Sequence, residues 1–340
     1  MARIVYRDFD EFADAIQGIR GRVVPTARPQ ADWWLQVVVP GRLVVQQLQA
    51  GGPATFAGEG ARRTITIGLP ATARRIHIDG EPLEPTSFVL ARTGQPFTVC
   101  SRQIARWAAI TVPTDHPALP PELLRALNAI AFSRGDAHAH SPAPEIDRAR
   151  SIVARICTDD RSARLVEAAA VRTAEEELMS VAAAILEHCV AASVPRLGRP
   201  RLPRARIVAR ALALMEDRSG DPLFVDDLCR AARVSERTLR NIFQEYFGVG
   251  PMRLLKVRQL SEVRSALMAG TREMQNVASV ARRFGVWDLG AFTRNYKALY
   301  GETPSDTLRR APEARRRDSA GNLTWIRYAV QKFRDDPGSQ

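Results

Sequence analysis

Cysteine is scarce and poorly spaced for chemistry. The four residues, Cys100, Cys157, Cys189 and Cys229, lie 57, 32 and 40 positions apart. No pair has the C-x-x-C spacing of a zinc site or a redox motif, so free buried thiols in a reducing compartment are expected. Histidine is also thin. His77 stands alone among strand-like segments, and His138 and His140 sit in a polar stretch that reads as a solvated loop. A metal-dependent cupin enzyme would need clustered ligands on strands, so no metal is expected. No G-x-S-x-G occurs, and no cysteine has an evident histidine partner for nucleophilic catalysis. The glycines of AGGPATFAGEG lack the Lys-Ser/Thr ending of a phosphate loop. These absences argue against an enzyme, and no cofactor is expected. No run of about 18 apolar residues is present; the nearest, LMSVAAAILEHCVAAS, is broken by Glu187 and His188. The opening MARIVYRDFDEF is charged and lacks the apolar core of a signal peptide. A cytoplasmic protein with no membrane span is the expectation.

Lysine is nearly missing too: three residues against 46 arginines. Such a ratio reflects compositional bias, but bias alone would raise both halves of the chain. The net charge of +12 is instead concentrated. Residues 201–340 hold 26 basic and 16 acidic side chains, leaving the first 200 with only about +2. An acidic partner for the C-terminal half follows. At 340 residues and 45% apolar content, two or three domains with real cores are expected.

From about residue 32 to 113 the texture is β. WWLQVVVP, RLVVQQLQ, RTITIGLP, RRIHID, TSFVLA, FTVC and RWAAITVP are short, rich in Val, Ile, Thr and aromatics, and separated by Gly or Pro turns. Such spacing predicts an antiparallel sandwich or barrel. From Pro120 the texture becomes helical. PPELLRALNAIAF opens with proline in its first turn. Ser133–Pro144 reads as a loop, and helical patterning resumes at Ile146, Ala149, Val153 and Ile156. From about Thr173, the residues Leu178, Val181, Ala182, Ile185, Cys189 and Ala192 form one apolar stripe. That stripe is either core against the β layer or a dimer seam. SVPRLGRPRLPRAR, with its prolines and arginines, reads as a linker. The expected division is therefore 1–195, a linker at 196–204, a domain at 205–312 and a tail at 313–340. The tail holds an amphipathic piece around Trp325.

After the linker, Ile207, Ala211, Leu214 and Met215 mark an amphipathic helix, and FVDDLCRAA a shorter one. Ser235 is a good N-cap for a third helix, running to about Tyr246. Leu239, Ile242, Phe243 and Tyr246 form its apolar face. Arg237, Arg240, Asn241 and Gln244 lie opposite, and such side chains reach base edges in the major groove. A short helix, a tight turn and a second helix of this chemistry make a helix-turn-helix. GVGP then breaks the chain, and PMRLLKVRQLSEVRSALM restarts it as a helix of about 27 Å at 1.5 Å per residue. MQNVASVARRFGV and DLGAFTRNYKALYG repeat the plan. Asp288 is the predicted cap, Leu289, Phe292, Tyr296 and Leu299 the inner face, and Gly290, Ala291, Thr293, Arg294 and Lys297 the outer one. Two such units on a rigid connector suit successive major grooves, about 34 Å apart.

This region resembles the DNA-binding domain of AraC/XylS-type transcription regulators. The resemblance rests on Ala231, Ser235, Arg237, Leu239, Phe243, Gly248, Pro251, Arg258, Leu260 and Leu267 in the first unit and connector. In the second it rests on Val277, Ala278, Phe284, Gly285, Phe292, Arg294, Tyr296, Lys297, Gly301, Pro304 and Ser305. It implies reading helices at 235–246 and 288–299. DNA contacts are implied for Ser235, Arg237, Thr238, Arg240, Asn241 and Gln244, then Gly290, Ala291, Thr293 and Arg294, with Lys297 on phosphate. Arg233 stands where the family often has glycine, which forces a strained turn if φ is positive. The first half is expected to be a β-barrel or cupin-like sensing and dimerising domain followed by helices, giving an α+β chain of several domains. Trp33, Trp34, Phe56, Phe88, Phe97 and Trp107 are candidates to line an effector pocket or to be ordinary core. Surplus arginines such as Arg62, Arg74 and Arg75 offer a clamp for an acidic effector. The resemblance further implies a promoter-binding regulator, by family habit an activator. Its partners would be double-stranded DNA, RNA polymerase, a small molecule and a second copy of the chain. A DNA-repair methyl acceptor can carry a similar domain but would need a cysteine cluster absent here. The alternative left open is a DNA-binding module whose β domain only oligomerises or binds a protein.

Overall fold

The computed structural model describes residues 3–71, 76–129, 138–158, 168–192, 202–269 and 276–314. The first half contains two antiparallel sheets. One has seven strands in the order β1 (Ile4–Tyr6), β3 (Trp33–Val38), β4 (Val44–Ala50), β11 (Ala105–Pro113), β6 (Thr64–Pro70), β9 (Ser87–Arg92) and β12 (His138–His140). The other has five: β2 (Ile19–Pro25), β5 (Ala54–Gly60), β10 (Phe97–Ser101), β7 (Ile76–Ile78) and β8 (Glu81–Pro82). They face one another without closing, so the β domain is an open sandwich rather than a barrel.

The seven-stranded sheet is covered on both faces, which explains the imperfect alternation of RLVVQQLQ. Val45, Ile65, Ile67, Phe88 and Ile110 pack on one side against α2 (Pro121–Ala129), α3 (Ala143–Ile156) and α4 (Ala168–Ala192). Trp33, Leu35 and Leu48 pack on the other, against the second sheet and α1 (Phe9–Ala15). Buried glutamines in these strands are each satisfied: Gln46 donates to the Gln17 carbonyl at 2.8 Å, and Gln49 to that of Asp32 at 2.9 Å. The apolar stripe of α4 is core, since Leu178, Val181, Ala182, Ile185 and Cys189 are buried with the strand residues. It is not a dimer seam.

Three expectations are corrected. Strands begin at Ile4 rather than near residue 32, and α1 precedes β2; Asp8 caps α1, accepting from Asp10 N at 2.8 Å. The histidine-rich stretch is no loop at 138–140, where it forms an edge strand on β9 and His140 Nδ1 sits 3.1 Å from Ser87 Oγ. The linker is shorter than expected, because α5 (Leu202–Asp217) already starts inside it. Pro203 is tolerated there because a helix's first turn has no use for its N–H. The rest of that linker, 193–201, and the tail around Trp325 lie outside the described residues.

Among its described residues the C-terminal half forms helices and no strands: α5, then α6 (Val225–Ala232), α7 (Glu236–Phe247), α8 (Pro251–Ala269), α9 (Val277–Arg283), α10 (Leu289–Tyr300) and α11 (Pro304–Ala314). Its core also takes in Val24 and Ala57 from the five-stranded sheet, so the two halves share buried surface. Arg102, just after β10, donates to the Gln244 carbonyl of α7 at 2.5 Å, and Arg253 of α8 to the Thr26 carbonyl at 3.3 Å. Arg264 of α8 is buried between Asp8 and Asp10, with Nη1 3.0 Å from Asp10 Oδ2 and Nη2 paired to the Asp8 carboxylate.

Candidate nucleic-acid interface

The first unit is built from α6 and α7. Arg233 closes α6 in the left-handed region, φ 56°, and the Val234 N–H returns to the Cys229 carbonyl at 3.1 Å. The strain foreseen for an arginine at this turn is therefore present. Ser235 caps α7, its Oγ accepting from Thr238 N at 3.3 Å. Leu239, Ile242, Phe243 and Tyr246 are buried, which turns Arg237, Arg240, Asn241 and Gln244 outward, and all four are exposed. Two of them are held in place by their own helix. Arg240 pairs with Glu236 at 2.6 Å, and Gln244 Nε2 donates to the Gly248 carbonyl at 2.8 Å.

The connector α8 runs unbroken for 19 residues, about 28 Å. Arg258 faces inward rather than to solvent. It is 3% exposed, pairs with Glu262 at 2.9 Å and also donates to the Arg218 carbonyl. Gln259 donates to the Phe284 carbonyl at 2.8 Å, fixing the connector to the turn of the second unit.

In the second unit, Asn276 caps α9 by accepting from Ser279 N at 2.7 Å. Gly285 (φ 75°) packs so closely on Pro222 that a Cβ there would lie 2.8 Å from Pro222 Cγ. Only glycine fits, which ties the second unit's turn to the segment before α6. Asp288 caps α10, accepting from Ala291 N at 2.8 Å. Phe292, Tyr296 and Leu299 are buried, whereas Leu289 is half-buried. Gly290, Arg294 and Lys297 are exposed. Ala291 and Thr293 are only half-exposed, and the Thr293 hydroxyl is already donated to the Leu289 carbonyl at 2.8 Å. The sequence reading missed the most exposed large side chain beside this helix, Trp287, at 88%. It falls one residue before the cap, outside the helical pattern.

The β sandwich holds an apolar cavity of about 100 Å³ between its sheets. Trp33, Phe56, Phe97 and Trp107 line it together with Phe12 and Ile16 of the α1 region. Two of the expected aromatics do not. Trp34 points to the opposite face from Trp33, as successive strand residues must, with Arg3 stacked on it at 4.3 Å. Phe88 is buried on the helical side of its sheet. Arg62 is exposed outside the cavity, and Arg74 and Arg75 lie outside the described residues. The polar lining groups are Gln46, Thr66 and Ser101, none of them charged. Trp33 is 3% exposed, and its Nε1 has no hydrogen-bond partner among the described residues.

Residues 228–310 match the helix-turn-helix domain family. The probable thc operon regulatory protein of Rhodococcus erythropolis is 34% identical over 40% of this chain and 40% of its own length. The XylDLEGF operon transcriptional activator of Pseudomonas putida is 30% identical over 29% of this chain and 31% of its own. The matched stretch thus spans less than half of either relative. A solved structure of a probable AraC family transcriptional regulator from Rhodopseudomonas palustris CGA009 is 30% identical, covering 31% of this chain and 96% of that one, with a TM-score of 0.29.

Proposed function

Because the chain belongs to the AraC/XylS family of transcription regulators, we propose that it binds promoter DNA through both helix-turn-helix units and activates transcription. The single observation that carries this is the pair of capped helices, α7 and α10, each with an outward face holding exposed polar or cationic side chains. One unbroken connector fixes them relative to each other, so the second site need not be searched for independently. Arg237, Thr238, Arg240, Asn241 and Gln244 would read bases or backbone in the first groove. Gly290, Ala291, Thr293 and Arg294 would face the second, with Ser235 and Lys297 toward phosphates. RNA polymerase would be the partner at the promoter, and the first half would dimerise the chain in the cytoplasm.

The cavity favours a small-molecule effector over a β domain that only oligomerises. Its ligand would be uncharged, mostly apolar, and carry one acceptor for the Trp33 indole N–H. A bound molecule would press on Phe12 and Ile16, in the same short segment whose start holds Arg264 of the connector. The test is selection from random duplex DNA with the full chain near physiological salt. Two enriched blocks about one helical turn apart are expected. Binding without any enriched sequence would defeat the reading. For the effector, apolar compounds with one acceptor should raise the melting temperature of the chain, and Trp33→Phe should weaken that rise.

A further inference from the structure

In the C-terminal half, three large apolar side chains stand out in solvent: Phe224 at 70%, Met252 at 72% and Trp287 at 88%. Their surroundings differ. Phe224 is followed by Asp226 and Asp227, an acidic setting that repels a phosphate backbone. Met252 adjoins Arg253, which is turned toward the β domain through Thr26. Trp287 alone has exposed cations on both sides of it in the sequence, Arg282, Arg283, Arg294 and Lys297, and none of these makes an ion pair among the described residues. Among the described tryptophans it is also unlike the rest: Trp33 is buried, and Trp34 and Trp107 are half-buried. An indole carries on the order of 200 Å² of surface whose burial is favourable, and the fold leaves almost all of it uncovered.

The position of Trp287 is set by its neighbours. Gly285 turns the chain and Val286 is 3% exposed, so the next side chain is thrown outward. Asp288 then caps α10. Trp287 thereby stands one residue before the cap, and the exposed column of α10 itself runs from Gly290 through Arg294 to Lys297 at spacings of four and three residues. The first turn of this column is poor in hydrogen-bonding groups. Gly290 has no side chain, Ala291 has a methyl, and the Thr293 hydroxyl is committed to its own helix.

The fold does not explain Gly290 either. It lacks a positive φ, and a Cβ there would make ordinary contacts, 3.4 Å to Asp288 Oδ1 and 3.5 Å to Arg294 Nη1. Glycine in the middle of a helix costs about 0.5–1 kcal/mol relative to alanine, and Gly290, the second residue of α10, carries a part of that cost. A residue kept at that cost where a side chain would fit marks a place where something outside the chain comes close to the backbone.

We propose that Trp287 is a specificity-determining contact of the second unit, its indole packing on a thymine 5-methyl in the major groove where Gly290 lets the duplex approach. The thymine methyl is the apolar group that the major groove presents, so an apolar side chain just before a cationic helix face has one base to choose. This rests on the DNA-binding reading above.

The test uses the full chain and the duplex it selects from random DNA. Each thymine of the second block is replaced in turn by deoxyuridine, which removes only the methyl. The wild-type chain should lose about tenfold in affinity at one position, the scale of one base contact. Trp287→Ala should lose a similar factor on the selected duplex, almost nothing on random duplex, and no more at that deoxyuridine. Trp287→Phe should keep most of the affinity. Unchanged melting temperatures are expected, because the side chain is exposed. The proposal is overturned if no thymine responds to methyl removal, if Trp287→Ala binds as tightly as the wild type, if it loses equally on random DNA, or if the deoxyuridine penalty persists in the variant. Failure to select any sequence would sink the DNA reading itself, which separates the two failures.

Discussion

Asp8 and Arg264 are 256 residues apart in the chain and form a hydrogen-bonded ion pair. Both side chains are close to fully buried, at 12% and 8% exposure. Burial alone would raise the Asp8 carboxyl, but Arg264 and the N–H groups of Glu11 and Asp10 outweigh it and hold the group below its usual range. Burial likewise opposes the Arg264 charge, and Asp8 and Asp10 reverse that, leaving the guanidinium firmly protonated. The pair joins the connector between the two helix-turn-helix units to the start of the helix that walls the cavity.

Arg264→Ala leaves Asp8 in a buried site with only the more distant Arg310, at 3.7 Å, as counter-charge. A loss of about 3–5 kcal/mol is expected, the usual cost of breaking such a pair, read from urea unfolding of the full chain. A loss under about 1 kcal/mol would mean that the carboxylates find water.

The same pair sets an acid limit. The folded-state value of Asp8 lies below its unfolded value, so its contribution is complete above about pH 4 and is lost as the pH falls through the folded value. Stability should fall more steeply on acidification in the wild type than in Asp8→Asn. Parallel acid profiles for the two chains would contradict this.

Gly80 touches α7 directly. Its φ is +85°, and a Cβ there would lie 2.7 Å from the Tyr246 ring. Gly80→Val should push α7 off the five-stranded sheet at a cost of about 1–3 kcal/mol. Faster amide exchange over 236–247 is the expected signature, with the seven-stranded sheet unaffected.

Arg240→Ala should lose about 1–3 kcal/mol of discrimination at one position of the selected site. An equal loss on random DNA would reassign the arginine to phosphate. Affinity should also fall steeply with salt.

Arg233→Gly should raise stability by up to about 1 kcal/mol, since the arginine sits at φ 56° where glycine is unstrained. Unfolding midpoints of the two chains measure this. A loss would show that the arginine side chain makes a stabilising contact that outweighs its backbone strain.

The helix-turn-helix half was legible because its signals are local. Ser235 and Asp288 are caps with a three-residue reach, and the 3.6-residue period puts Phe243 and Phe292 inside without reference to anything distant. The β half was legible only as strands. Val45 and Leu48 face different covering layers, so no single alternation reports either face. The helix at 9–15 is too short to show a period, and β12 is three residues of an edge that only β9 defines. Trp33 and Trp34 read alike in sequence, yet the pleat sends one to the cavity and the other to Arg3. Arg264 looked like any other charge on an exposed helix. Its partners lie at the opposite end of the chain, beyond the reach of any pattern.

The shared core of the two halves bears on how the chain can be divided. A protein cut at the proline-rich junction would release a helical half with Arg264 deprived of Asp8 and Asp10 and an apolar patch where Val24 and Ala57 had lain. Exposed apolar surface of that kind invites self-association. The chain reads as two modules in its sequence, but its solubility belongs to the pair.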